Sequence, residues 1–350
     1  MKNIPSIILL AAFLLSACIP AIQTPIETLT LTVMTHDSFE VSTDVITAFE
    51  KTNNVKINFL KSGDTGAALN KAILSKSAPL ADVFYGVDNT FLSRALEAGI
   101  FEQYHSPALA YIPEKFKLDT GDRALPVDYG DVCINYDKAY FAEHQLTVPK
   151  ALEDLTMTEY KNLLVVENPA TSSPGLAFLL ATIAHFGDPG YVDYWLKLRQ
   201  NGLVVVDGWE TAYLTNFSAS SGRGPQPMVV SYGSSPAAEV IYAEQPLSDA
   251  PTASIIGPDT CFRQIEFAGI LKGTQKRKMA EKFLDFMLSV QFQEDMPMQM
   301  LMFPVNPQAK LPEEFVKYAQ IPNEPAILLP IEIAENRDTW IQTWTEAVLR

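Results

Sequence analysis

Aromatic side chains stand just past the ends of two strand-like segments, where a small molecule could meet them. Trp209 follows the apolar segment 203–206, and Tyr232 directly follows the apolar segment 228–231. The face of an indole or phenol ring can stack on a heterocycle and attracts cations. Core packing is the more common role of either residue taken alone. The two rings therefore indicate possible contact with a flat or cationic ligand.

A hydroxyl-rich segment at residues 171–175 has the pattern of a helix start. Pro174 suits the first helical turn because its missing N–H would have no helical partner there. A serine just before it is a good N-cap. The free N–H groups of such a start attract anions, so a phosphate would fit. An ordinary cap that serves only the helix is the alternative, and this segment taken alone favours the ordinary cap.

Carboxylates at turns and strand ends provide possible contacts for a cation. Asp64, Asp88 and Asp128 occupy such positions. Each is also an ordinary turn aspartate. The four histidines are scattered, and no metal-ligand spacing, P-loop or dinucleotide glycine fingerprint occurs in the sequence. We therefore expect a site that contains neither a metal nor a cofactor.

A catalytic alternative depends on residues 233–237, which read GSSPA. This segment approaches a nucleophile elbow, with Ser234 or Ser235 as the nucleophile, but it ends in Ala237 where the motif has glycine. The neighbouring sequence supplies no histidine to act as a base. An extracellular serine hydrolase is therefore a remote alternative, and the sequence indicates a protein that is not an enzyme.

Alternating strands and helices must position these side chains. Strand-like segments at 29–33, 55–59 and 81–86 are separated by helical patterns, and the second half of the chain repeats this order. Such spacing predicts βαβ units, a mainly parallel sheet and helices on both faces. Ligands bind such sheets at the carboxyl ends of the strands. The expected ligand loops are therefore 36–38, 62–66 and 86–88.

The length and apolar content allow about two domains. The chain has 350 residues, of which 47% are hydrophobic. Two strand-like segments, around 126–136 and 261–268, are predicted to cross between two α/β lobes and to leave a cleft. The predicted boundaries are a signal peptide at 1–17, a tether at 18–27, a first lobe at 28–129 plus 264–350, and a second lobe at 130–263.

The N-terminus predicts export. A lysine at position 2 precedes an apolar run at 7–15 that is too short to anchor the chain, and small residues lead to Cys18. This order resembles the bacterial lipobox, whose cysteine carries a lipid. We therefore expect an extracytoplasmic lipoprotein that touches the membrane only through the lipid on Cys18. A plain cleaved signal with an incidental cysteine is the alternative.

Charge and cysteine content bear on partners and on the redox environment. The formal net charge is −15, which disfavours nucleic acid and weakly favours cationic small molecules. Cys133 and Cys261 remain after the N-terminal segment. In an exported protein they form either a disulfide or two buried thiols, and the sequence leaves both open.

The order of motifs along the mature chain resembles the thiamine-binding proteins of bacterial thiamine ABC importers, which are type II periplasmic binding proteins. Each motif is weak, but the order of all of them is specific. The matching stretches are 35–39 (THDSF), 81–83 (ADV), 86–89 (GVDN), 128–130 (DYG), 136–138 (YDK), 168–176 (NPATSSPGL), 208–213 (GWETAY), 231–232 (SY), 235–237 (SPA), 303–305 (FPV) and 340–348 (WIQTWTEAV).

This resemblance implies a two-lobed α/β fold, in which each lobe has a mixed, mainly parallel sheet flanked by helices and crossing strands form the hinge. It implies a monomeric receptor that captures thiamine or a thiamine phosphate and delivers it to an ABC permease and ATPase complex. The same fold binding a polyamine, a pyrimidine precursor, a sugar phosphate or another anion is the alternative.

The resemblance also assigns roles to site residues. Asp64 and Thr65 would hold one end of the ligand, beside the loop with His36 and Asp37. Ser172 and Ser173 would take the hydroxyethyl or phosphate end, and Trp209 would stack on a ring. The opposite wall would be formed by Tyr232, Gly233, Ser234 and Ser235. The chain departs from the family at His36, where tyrosine is common, and at Ala238, where an aromatic residue is common.

Overall fold

The computed structural model describes residues 29–219 and 224–350. The predicted signal peptide, the tether and the lipidation site at Cys18 lie outside these residues. Within the described ranges, no helix combines the length and the apolar character needed to cross a bilayer.

Eleven strands and eleven α-helices are present in the described part of the chain. The strands are β1 Leu29–Thr35, β2 Val55–Lys61, β3 Val83–Asp88, β4 Phe101–Glu102, β5 Leu125–Asp137, β6 Leu164–Glu167, β7 Val204–Val206, β8 Met228–Tyr232, β9 Thr252–Ile255, β10 Phe262–Leu271 and β11 Phe303–Pro304. The helices are α1 Thr43–Asn53, α2 Thr65–Leu74, α3 Leu92–Ala98, α4 Lys138–Glu143, α5 Ser173–Phe186, α6 Gly190–Gln200, α7 Ser235–Ile241, α8 Arg277–Met287, α9 Val290–Gln299, α10 Glu313–Tyr318 and α11 Pro330–Val348.

Local sequence explains several of these boundaries. In β1 the apolar side chains of Leu31 and Val33 are fully buried, as the alternating pattern predicts. Helix α3 ends at Gly99, whose φ of 65° is the left-handed conformation that glycine adopts without strain. Strand β3 is buried along its whole length, which fits its continuous apolar sequence.

The strands form one mixed sheet in the order β2-β1-β3-β10-β5-β8-β6-β7. Strand β1 pairs in parallel with β2 and β3, and β6 pairs in parallel with β7 and β8. The antiparallel strands β5 and β10 separate these two parallel sets. We call β1–β4 with α1–α3, α8 and α9 the first lobe, and β6–β9 with α4–α7 the second lobe.

Strand β5 belongs to both lobes. Its first part pairs with β10, and its last part pairs with β8 and β9. The pairing with β10 ends and the pairing with β8 begins at Val132, which pairs with Phe262 on one side and with Tyr232 on the other. A strand shared in this way lets the two lobes rotate about a short stretch of backbone.

The C-terminal helices reach across to the second lobe. Helix α11 packs against α3 of the first lobe and, more extensively, against α6 of the second lobe. Trp344 meets the buried Trp195 edge to face at 5.4 Å, and Trp340 donates from Nε1 to Asp188 at 3.1 Å. Both tryptophans of α11 are buried and belong to the main hydrophobic core. The predicted assignment of all of 264–350 to one lobe stays a prediction.

A disulfide lies beside the crossing strands. Cys133 in β5 is bonded to Cys261, which directly precedes β10, and the two Cα atoms are 4.3 Å apart. Both cysteines are fully buried. The bond therefore ties the two crossing strands together next to Val132.

Candidate functional site

A cavity of about 1190 Å³ lies between the two lobes. Loops at the carboxyl ends of parallel strands line it, as the alternating pattern predicts. His36 follows β1 and Thr65 follows β2, whereas Ser173 follows β6 and Trp209 follows β7. The volume exceeds the roughly 300–1,000 Å³ of ordinary small-molecule sites. The space is therefore large enough for a small ligand and for further approach of the lobes.

Seven of the predicted site residues line this cavity, and four do not. The lining residues are His36, Asp64, Thr65, Ser173, Trp209, Tyr232 and Ser235. The residues outside the lining are half-buried Asp37 and the buried Ser172, Gly233 and Ser234.

Asp37 and Gly233 have structural roles in the loops. The Asp37 carboxylate accepts a hydrogen bond from Gly63 N at 2.7 Å, which ties the loop after β1 to the loop after β2. Gly233 donates its N–H to Asp131 O at 2.8 Å and accepts from Gln320 N at 2.6 Å. A Cβ atom at this glycine would lie 2.2 Å from Gln320 O, so no larger residue fits.

Helix α5 begins at Ser173, directly before Pro174, and the predicted side-chain cap is not formed. Ser172 is at the N-cap position of α5, but its hydroxyl makes no capping hydrogen bond and lies beside the Asp64 carboxyl. Asp64 belongs to the opposite lobe and is itself the N-cap of α2, where it accepts from Thr65 N at 2.7 Å. A carboxylate from one lobe therefore lies at the start of a helix from the other.

Asp64 also makes a direct link between the lobes. Its Oδ2 accepts from Trp209 N at 3.1 Å, and the nearby Gly66 N donates to Thr171 O at 3.0 Å. Burial raises the pKa of Asp64, although the Ser172 hydroxyl and the backbone N–H groups of Trp209 and Thr65 oppose the increase. A cation that entered the cavity would favour the ionised form of this carboxyl.

The ring of Trp209 is held in a defined orientation. Its Nε1 donates to Ser231 Oγ at 2.8 Å, and the indole stacks on Tyr213 at 5.1 Å between centroids with an angle of 14°. The Tyr213 hydroxyl donates in turn to Glu239 at 2.6 Å. A half-buried ring that lines the cavity and is supported in this way is ready to stack on a ligand.

Three acidic residues stand side by side at the base of the cleft. Glu266 in β10 pairs in register with Asp88 of β3 and with Asp128 of β5. The Tyr85 hydroxyl lies 2.5 Å from Asp128 Oδ2 and 2.9 Å from Glu266 Oε2. Like charges on adjacent strands repel each other, so this row is stable only if some of its carboxyls hold protons.

The surroundings decide which carboxyl of the row is ionised. Burial raises the pKa of Asp128 well above its ordinary value, and the neighbouring Glu266 adds to the effect. Burial would also raise the pKa of Glu266, but His36, 3.4 Å from its Oε1, lowers it overall. Burial would lower the pKa of His36, yet Glu266 raises it overall. These shifts favour an ion pair between Glu266 and a protonated His36, and they favour the neutral form of Asp128.

Asp88 should make the stability of the fold depend on pH. Burial raises its pKa from 3.8 to about 6. The stability that this raised pKa contributes is fully present below about pH 3.8 and is lost as the pH rises through about 6. Between about pH 5 and about pH 7.5, this group should lower the free energy of unfolding of the wild type by about 1.4 kcal/mol. The Asp88→Asn variant lacks the titrating group and should not show this decrease. Urea unfolding at both pH values measures this difference.

Asparagine is a suitable replacement for Asp88. The carboxyl Oδ1 accepts hydrogen bonds from Thr90 N and Phe91 N, and an amide oxygen can accept them too. The other oxygen, Oδ2, has no hydrogen-bond partner within the described residues. Asp193→Asn, exposed on α6, makes the same change of charge and should leave the pH profile unchanged. Equal pH profiles for Asp88→Asn and the wild type would contradict the prediction.

Sequence reasoning missed Glu266 and Tyr213. Glu266 lies within a strand, where no turn or strand-end signal marks it, and only sheet register brings it to the cavity. Tyr213 lies four residues after Trp209 on a π-helical turn, Thr211–Asn216. The spacing of four was a usable signal, because residues four apart share one helix face. The loop 300–302 after α9 also lines the cavity and was not predicted.

Comparisons with known proteins agree with this architecture. The family model described as bacterial extracellular solute-binding protein matches residues 78–323. The thiamine-binding periplasmic protein of Brucella suis is 32% identical over 327 residues, which cover 92% of each chain. The protein of that description from Escherichia coli is 30% identical over 325 residues, which cover 91% of this chain and 94% of the relative.

The solved structure of a periplasmic thiamin binding protein is also similar. It has a TM-score of 0.81 and 30% sequence identity, and the match covers 92% of this chain and 96% of the other. The predicted two-lobed periplasmic-binding-protein fold of type II is therefore confirmed. By sequence and by structure, this chain belongs to the family of bacterial extracellular solute-binding proteins.

Proposed function

We propose that this protein is the thiamine receptor of a bacterial ABC importer. It captures the vitamin outside the cytoplasm and delivers it to a membrane permease driven by an ATPase. The relatives with the name thiamine-binding periplasmic protein, at about 30% identity over nearly the whole chain, support this ligand. The structural observation that carries the proposal is the meeting of aromatic rings and carboxylates in one cavity.

The aromatic walls suit a flat cation. Trp209 and Tyr232 both line the cavity from the second lobe. Thiamine joins a thiazolium ring, which is always positively charged, to a planar aminopyrimidine. A cation over an indole face gains about 2 kcal/mol when it is desolvated. Trp209 is therefore the proposed stacking surface, and Tyr213 is the residue that positions it.

Carboxylates supply the opposite charge. His36 already lies 3.4 Å from Glu266, and this contact raises the pKa of His36, so the pair is favoured as an ion pair that adds little net charge to the cavity. Asp64 forms no ion pair within the described residues, although nearby His36 helps to lower its pKa, and its oxygens accept from backbone N–H groups. We therefore assign Asp64 as the main counter-charge for the thiazolium. The hydroxyls of Thr65, Ser173 and Ser235 can hydrogen-bond the polar ends of the ligand.

Ligand capture proceeds by approach of the two lobes. The crossing strands β5 and β10 provide the hinge, and Asp64 meets both Trp209 and the start of α5 where the lobes touch. A ligand that binds both lobes stabilises the closed arrangement, because it gains contacts there that the open arrangement lacks. No covalent step is required.

The hydrolase alternative receives no support. Ser235 Oγ shares a hydrogen bond with Ser231 Oγ at 2.9 Å, and Ser234 Oγ is buried outside the cavity lining. Among the described residues that line the cavity, His36 is the single histidine, and it pairs with Glu266. Neither serine therefore has a base positioned to activate it.

The proposed location is outside the cytoplasmic membrane, in line with the periplasmic relatives. We further propose that cleavage before Cys18 leaves this cysteine as the first residue and that it carries a lipid anchor. Intact mass spectrometry of the membrane-extracted protein tests this. The mass of an unmodified chain from position 18 would contradict it.

Calorimetric titration with thiamine tests the proposed function. We expect a single site with a Kd of about 1 µM or tighter, which corresponds to a binding free energy of about −8 kcal/mol or stronger. Asp64→Asn should weaken binding about tenfold, because one favourable charge interaction is lost. The matched control is Asp193→Asn, which removes an exposed carboxylate on α6 and should bind normally. Absence of heat and of thermal stabilisation with thiamine would overturn the proposal.

A further inference from the structure

The start of α2 in the first lobe touches the start of α5 in the second lobe through backbone atoms. Gly66 N donates a hydrogen bond to Thr171 O at 3.0 Å. Gly66 is buried, and neither of these two residues lines the cavity. We call this pair the interlobe contact. It joins the lobes next to the cavity without forming part of the surface that a ligand would meet.

The interlobe contact leaves no room for a side chain at position 66. A Cβ atom at Gly66 would lie 2.9 Å from both Ala170 O and Thr171 O, which is closer than Cβ atoms approach such atoms in proteins. Both obstacles are backbone atoms of the other lobe, so rotation of a side chain cannot relieve the overlap. The local backbone does not require glycine, because Gly66 lies within α2 and outside the left-handed region. The glycine is therefore needed only for the approach of the lobes.

The segment that Gly66 meets is held on its own side of the cleft. Asn168 O accepts a hydrogen bond from Thr171 N at 3.1 Å. Thr171 Oγ1 donates to Asp207 O at 2.7 Å, two residues before Trp209. A shift of this segment would therefore also displace the loop with Trp209. The easier way to relieve an overlap at position 66 is to move the two lobes apart about their hinge.

The approach of the lobes at Gly66 also determines whether Asp64 reaches the second lobe. Asp64 lies two residues before Gly66, and its Oδ2 accepts from Trp209 N at 3.1 Å. Gly208 lies against the same carboxyl, because a Cβ atom there would be 3.1 Å from Oδ2. A hydrogen bond of this length has little room to lengthen before it is lost. A wider separation at Gly66 would therefore break the bond between Asp64 and the Trp209 backbone.

We propose that Gly66 is a positioning residue that determines how far the two lobes close, and that the interlobe contact stabilises the closed arrangement. This inference goes beyond the proposed function, because it concerns the movement of the lobes and not the identity of the ligand. The donor and the acceptor of the contact both belong to the protein, so the ligand-free protein can form it too. A ligand that contacts both lobes then shifts the equilibrium further toward an arrangement that is already populated.

The variant Gly66→Ala tests this role. The added methyl group should hold the lobes apart, so the ligand-free variant should have a larger radius of gyration than the ligand-free wild type in small-angle X-ray scattering. Dissociation of thiamine, followed by stopped-flow tryptophan fluorescence, should be about tenfold faster, on the scale of one lost interlobe hydrogen bond. The association rate should change less, because loss of contacts acts mainly on dissociation.

Gly190→Ala is the matched control. Gly190 is the first residue of α6, and a Cβ atom there would lie 3.7 Å from Phe186 Cβ, which is an ordinary contact. This variant should have the radius of gyration and the dissociation rate of the wild type. A merely structural role of Gly66 would lower the melting temperature of the ligand-free protein. We expect little decrease in Gly66→Ala, because alanine is the better helix former within α2.

Each outcome decides the inference separately from the proposed function. A larger radius of gyration and faster dissociation in Gly66→Ala, but not in Gly190→Ala, support the inference. An unchanged radius of gyration in ligand-free Gly66→Ala overturns it and leaves the thiamine receptor intact. Equal changes in the two alanine variants overturn it too. If the wild type binds no thiamine, the proposed function is overturned, and the scattering comparison of the ligand-free proteins still decides the role of Gly66.

Discussion

Replacing both Cys133 and Cys261 with alanine should lower the free energy of unfolding by about 4 kcal/mol, or the melting temperature by about 10 °C. The two cysteines are separated by 128 positions, so the bond closes a long loop in the unfolded chain. The entropy removed from the unfolded state grows with the logarithm of loop length, which places this bond at the upper end of the usual range.

Thermal unfolding with and without a reducing agent measures the effect. The wild type should unfold at a lower temperature when its bond is reduced, whereas the alanine pair should not respond. Both cysteines lie outside the cavity lining, so thiamine binding by the folded variant should be close to that of the wild type. Equal unfolding temperatures for oxidised wild type and the alanine pair would contradict the prediction.

Replacing Trp209 with alanine should weaken thiamine binding about a hundredfold. The indole lines the cavity and is held by the hydrogen bond to Ser231 and the stack on Tyr213. Loss of a ring that stacks on a base-like ligand removes about 1–3 kcal/mol of binding energy. The loss of cation attraction to the indole face adds to this value. Calorimetry with thiamine measures the change in Kd.

Two further variants separate stacking from a general loss of structure. Trp209→Phe keeps an aromatic face but loses the hydrogen bond to Ser231, so it should bind with intermediate affinity. Tyr111→Ala removes a ring that is 59% exposed and lies outside the cavity lining, so it should bind as the wild type does. A folded Trp209→Ala variant with unchanged affinity would show that the ligand does not stack on this ring.

Local patterns were sufficient to predict most of the elements. The alternating apolar residues of β1 and β2 and the left-handed glycine at position 99 act over a few neighbouring residues. The rule that ligands bind at the carboxyl ends of parallel strands then placed His36, Thr65 and Trp209 near the cavity. These predictions needed no knowledge of which distant segments would meet.

Adjacent loop residues show where sequence patterns stop being informative. His36 lines the cavity, whereas Asp37 turns to Gly63. Ser235 lines it too, whereas Ser234 is buried outside the lining. Neighbours in a loop have the same local composition, so the direction of each side chain depends on the hydrogen bonds that the folded loop makes.

By itself, the sequence determined an exported-protein pattern at the N-terminus, the alternation of strands and helices, and the loops in which a ligand site would form. Tertiary structure alone decided that Glu266 stands between Asp88 and Asp128, and that Asp64 reaches the start of α5 in the opposite lobe. The physical reason is that local patterns depend on neighbouring residues, whereas strand register and lobe contact join segments that are far apart in the chain. The protonation states of the carboxyls depend on those long-range contacts.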